Sequence, residues 1–119
     1  MKAFTDISQS KKLAKILPLE SADMYYFTII RDYPYSQGKI KTIAKIMDGS
    51  FSSDYDTPCW SLAALLGVVP YLSLHKTFSG WRCDSYNKEG TSCILGVPAD
   101  NPVDACYEMI IKLHEQKLL

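Results

Sequence analysis

Leu72-Ser73-Leu74-His75-Lys76-Thr77-Phe78-Ser79-Gly80-Trp81-Arg82-Cys83-Asp84-Ser85-Tyr86 is the stretch on which the fold turns. Apolar and polar residues alternate on both sides of Ser79-Gly80, the period of a half-buried strand, and Ser-Gly is a tight-turn signal. The pattern predicts strands over 71–78 and 81–87, and a third over 91–97 after the turn Asn87-Lys88-Glu89-Gly90. The period then changes. Asn101-Pro102 is an N-cap followed by an N1 proline, Asp104 stands in the first turn where the macrodipole favours an acid, and Val103, Cys106, Ile110 and Leu113 form an inward stripe.

Toward the N-terminus the signals are mixed. Residues 9–17 read as a helix capped by Ser8 and stopped by Pro18, and residues 23–31, rich in aromatic and β-branched side chains, read as a strand. Ile40, Ile43, Ala44 and Met47 have helical spacing and predict a short amphipathic helix over 39–47. Thr57-Pro58 resembles a cap and N1 proline, so a further helix is expected there, with Leu62, Leu65, Leu66 and Val69 buried and Trp60 as a core lid in its first turn. The sum is an α+β protein: a mainly antiparallel sheet of about four strands packed with three to four helices, in one domain over residues 1–119.

Composition narrows the function. The chain has 119 residues, 13 Lys+Arg and 13 Asp+Glu, so its formal charge is zero, unlike a dedicated nucleic-acid binder. No apolar run approaches the roughly 18 residues that span a bilayer, and Asp6 interrupts the place of a signal-peptide core, so a cytoplasmic protein without membrane contact is expected. Cys59, Cys83, Cys93 and Cys106 lack zinc-site spacing, and Cys59 and Cys106 stand among apolar residues; reduced thiols are expected, with no metal and no cofactor. Phosphate-loop, dinucleotide, nucleophile-elbow and zinc-protease motifs do not occur, so no catalytic residue is assigned and the reading is against an enzyme.

Two segments resemble a known pair. Asp56-Thr57-Pro58-Cys59-Trp60-Ser61-Leu62-Ala63-Ala64-Leu65-Leu66 and Asn101-Pro102-Val103-Asp104-Ala105-Cys106-Tyr107-Glu108-Met109-Ile110-Ile111-Lys112-Leu113-His114-Glu115 are similar to motifs of small uncharacterised proteins from prophages and mobile elements of gut Bacteroides and relatives. The resemblance covers about half the chain. It implies a fold and a genomic setting and carries over no catalytic residue.

Three constellations remain. Residues 1–47 carry eight Lys/Arg against four Asp/Glu; Lys11, Lys12 and Lys15 on the first helix and Lys39, Lys41 and Lys45 on the second read first as solvated helix faces, and are the candidates for a nucleic-acid surface. Tyr25, Tyr26, Tyr33 and Tyr35 form a candidate interface for a protein partner or a second copy, since tyrosine is enriched where one end of a ring is buried and the other wet. Finally, if Ser79-Gly80 and Lys88-Glu89 are two-residue loops, His75, Asp84 and Cys93 form a row across three strands. Asp84 then separates base from thiol, which is the wrong order for a nucleophilic relay, so the row reads as a His–Asp pair beside an ordinary cysteine. The expectation is a small accessory or regulatory protein of a mobile element that acts through protein–protein contact, with weak nucleic-acid binding as the alternative.

Overall fold

The computed structural model describes residues 2–30, 40–49, 51–52, 56–69 and 71–119. Its elements run α1 (Ile7–Ala14), a 3₁₀ turn (Leu19–Ser21), β1 (Met24–Ile30), β2 (Ile40–Ile46), β3 (Thr57–Cys59), α2 (Leu62–Val68), β4 (Leu72–Thr77), β5 (Gly80–Tyr86), β6 (Cys93–Ala99) and α3 (Pro102–Glu115). The α+β class stands. The single sheet of about four strands does not: the described strands form two three-stranded antiparallel sheets, ordered β2-β1-β3 and β4-β5-β6.

The expected helix over 39–47 is β2. Ile40, Ile43, Ala44 and Met47 satisfy a helical stripe, but the segment is also β-branched-rich, and seven consecutive backbone pairings with β1, from Met24↔Ile46 to Ile30↔Ile40, decide for the strand. Thr57-Pro58 likewise opens no helix. These residues pair with Tyr26 and Tyr25 as β3, an edge strand where a proline sacrifices no interior ladder bond. Helix α2 begins later, capped by Ser61, whose hydroxyl accepts from Ala64 N at 3.2 Å while hydrogen-bonding the Asp23 carboxylate. Leu65 in α2 and Val69 at its C-cap are buried, whereas Leu66 is exposed. Helix α1 is capped by Asp6 rather than Ser8, in a reciprocal capping box with Gln9.

The last helix follows its sequence. Asn101 Oδ1 accepts from Asp104 N at 2.9 Å, Pro102 stands at N1, and Val103, Cys106, Ile110 and Leu113 are buried. This helix packs across the inner face of β4-β5-β6 and against α2. Leu13, Leu17, Trp60, Leu65, Cys83, Val97 and Met109 complete the core around it. Trp60 is fully buried, ahead of α2 rather than in its first turn, and donates Nε1–H to Ser21 Oγ at 3.0 Å. No helix among the described residues is long and apolar enough to cross a membrane.

Candidate functional site

The β4–β5 hairpin turns one residue earlier than expected. Thr77 pairs with Gly80, so Phe78-Ser79 is the loop and Phe78 is fully exposed. His75 therefore lies opposite Arg82, and Asp84 opposite Ser73. The difference is a register slip of two residues, so Leu72, Leu74, Trp81 and Cys83 still share the inner face, whereas Phe78, expected there too, stands in the loop outside the sheet. On the other side Asp84 pairs with Gly96, not Cys93; a register irregularity at Ser85/Tyr86 brings Cys93 opposite Tyr86. The predicted row of His75, Asp84 and Cys93 is thus broken at the cysteine.

The remainder of that row is a compact polar group on the outer face. Arg82 Nε donates to Asp84 Oδ1 at 2.8 Å, and His75 Nε2 lies 3.8 Å from Asp84 Oδ2. His75 and Arg82 flank the carboxylate, whose side chain is only 9% exposed. His75 and Arg82 are each 45% exposed. Cys93 is exposed and donates its Sγ–H to Leu95 O at 3.3 Å. Among the described residues no group of three or more His, Cys, Asp or Glu could hold a metal ion.

The tyrosine set is divided. Tyr25 is fully buried: its hydroxyl donates to Asp48 Oδ1 at 3.0 Å and its ring meets Phe51 edge-on at 5.7 Å, so it is not free to receive a partner. Tyr26 is half-buried, donates to Thr5 O at 2.7 Å and packs edge-on to Phe4, in surroundings whose burial raises its phenol to about 12. Tyr33 and Tyr35 lie outside the described residues.

The lysines are divided too. Lys11, Lys12 and Lys15 are exposed on and just after α1, which packs on β3. Lys41 and Lys45 belong to β2, the opposite edge of the same sheet, not to a helix. The two groups therefore do not stand on two neighbouring helices as expected. Lys45 Nζ sits 4.7 Å from the centre of the Phe27 ring, a cation–π contact across β1 and β2. Lys39 lies outside the described residues.

What sequence reasoning missed is the β1–β2 ribbon. Strand β3 covers only Met24 to Tyr26, so Phe27–Ile30 and Ile40–Ile43 pair with each other alone among the described residues. Ile46, at the end of β2, is 77% exposed. The run Phe27-Thr28-Ile29-Ile30 with Ile40-Lys41-Thr42-Ile43 carried the signal, but reading 39–47 as a helix concealed it. Comparison of the chain with protein-family models, with curated proteins and with solved structures gives no match.

Proposed function

We propose that this chain is a protein–protein contact module that pairs with a second copy of itself through the β1–β2 ribbon. The carrying observation is the length of ribbon beyond β3. An isolated two-stranded ribbon is marginal in water, and one this rich in isoleucine gains stability by covering a face. Zero net charge supports the reading, because copies of the chain do not repel one another. In the setting that its two motifs imply, it is a cytoplasmic accessory or regulatory protein of a mobile element, and not an enzyme.

Light scattering at micromolar concentration tests this. The expected mass exceeds the 13.4 kDa of one chain, and Ile46→Lys, a substitution at an exposed position, returns it to that value. A monomer at every concentration and salt overturns the proposal.

A second reading, weak nucleic-acid binding, is favoured by the Lys45–Phe27 pair on the same ribbon, since a basic side chain beside an aromatic ring suits phosphate and base together. Retention on heparin at low salt, lost as salt rises, supports it; passage without retention at low ionic strength removes it.

A further inference from the structure

Gly96 has no conformational reason to be glycine, because its backbone is extended in β6 and its φ is not in the left-handed region. Its reason is space. A Cβ there would lie 2.1 Å from Arg82 Nη2, 2.8 Å from Arg82 Cζ and 2.8 Å from Asp84 Oδ1. The Arg82 guanidinium therefore lies across β6 in the volume that a side chain at 96 would fill. Asp84 holds it there through Nε, and its terminal nitrogens donate to no group among the described residues.

An ordinary surface ion pair contributes little, in part because two long side chains must be immobilised to make it. Here the buried Asp84 carboxylate holds Arg82 through Nε, and the guanidinium lies over Gly96 while its side chain stays 45% exposed. A fixed guanidinium with free terminal N–H groups is a fork for a planar oxyanion, and its ordering cost is met before any ligand arrives. His75, directly opposite Arg82, places an imidazole on the same face. The Asp84 charge offsets that of Arg82, so the field at the fork is weak and disfavours a dianion.

We propose that the outer face of β4-β5-β6 binds a singly charged carboxylate, with Arg82 as the fork, His75 as a flanking imidazole, and Asp84 and Gly96 as positioning residues. The carboxylate of a small free acid and the terminal carboxylate of a peptide share this chemistry.

The test follows the Arg82 Nε–H and Gly96 amide signals of the ¹⁵N-labelled protein at constant ionic strength. Titrants are acetate, a short neutral peptide acid, the same peptide as its amide, and inorganic phosphate. The expected result is a saturable shift of both signals. Saturation by acetate assigns a small acid; saturation by the peptide acid and not its amide assigns a chain terminus. Arg82→Lys, which keeps the charge but loses the fork, and Gly96→Ala, which closes the cradle, each weaken binding about tenfold. The remaining amide signals report whether each variant is folded. Shifts that rise linearly without saturating, phosphate binding more tightly than either carboxylate, or undiminished binding by folded Arg82→Lys would overturn the proposal.

Discussion

Lys2 and Asp104 lie 2.8 Å apart, Nζ to Oδ1, and this contact joins the segment before α1 to the first turn of α3. Asp104 also accepts from Gln9 Nε2 and Asn101 Nδ2, and Lys2 also donates to Asp6 and Gln9. The capping box of one helix and the N-cap of another are thereby parts of one network.

Asp104→Ala removes three side-chain hydrogen bonds at once and is expected to cost about 1–2 kcal/mol at neutral pH. Burial pushes the Asp104 carboxyl up, but hydrogen bonds from Lys2, Gln9 and Asn101 outweigh it and hold it below the ordinary carboxylate value. Asp6 is lowered in the same sense: burial opposes, and the Gln9 backbone and Lys2 prevail. A lowered carboxyl contributes stability that is present above its unfolded value, near pH 4, and is lost as pH falls through its folded one. Lys2 is displaced upward: burial lowers it, and the hydrogen bonds to Asp104 and Asp6 prevail. Its contribution is complete below about pH 10 and fades as pH rises through the raised value. Urea unfolding should show the cost of Asp104→Ala throughout the neutral range and see it shrink at pH 3 and below. A difference independent of pH would contradict this linkage.

Ile110 is fully buried on the α3 stripe. Ile110→Ala is expected to cost about 2–5 kcal/mol, a large part of the roughly 5–15 kcal/mol available to a domain. Ile110→Asp should abolish folding, because an unpaired charge cannot be held there. Thermal melts of the two variants check both; an unchanged melt for Ile110→Asp would mean that the stripe is not core.

Only Cys93 among the four cysteines is exposed; Cys59, Cys83 and Cys106 are buried, and all four are free. Cys83 is pushed well up by the neighbouring Cys106 and by burial, and burial also raises Cys59, so neither offers a thiolate at neutral pH. A colorimetric thiol assay should count one fast group in the native protein, none in Cys93→Ser, and four after unfolding. His75→Ala should leave the fast rate unchanged, since Cys93 lies opposite Tyr86 and away from the Asp84 group.

Gly80 begins β5 with φ +154°, and a Cβ on it would come within 2.6 Å of Ala99 O. Gly80→Ala is expected to destabilise by about 1–3 kcal/mol through backbone strain and collision with β6. Denaturant midpoints give the size of the effect. A stability equal to that of the parent would show that β6 yields at Ala99 without cost.

The sequence by itself determined whatever depends on neighbours in the chain. Helix α3 was legible because Asn101, Pro102 and the stripe from Val103 to Leu113 act over a few residues. The inner face of β4 and β5 was legible because alternation is local. What the tertiary structure alone decided involves partners distant in the chain. Residues 40–46 satisfy a helical stripe and a strand equally well until β1 supplies seven backbone partners. Thr57-Pro58 suits a helix start until β1 recruits it as an edge. The pairing of β4 with β5 could slip by two residues and keep Leu72, Leu74, Trp81 and Cys83 on one face, losing only Phe78 to the loop, so the alternation within the strands could not tell His75 opposite Asp84 from His75 opposite Arg82. The turn at Phe78-Ser79 and the fit of Arg82 over Gly96 belong to the assembled sheet, because register and the space above a glycine exist only once three strands lie side by side.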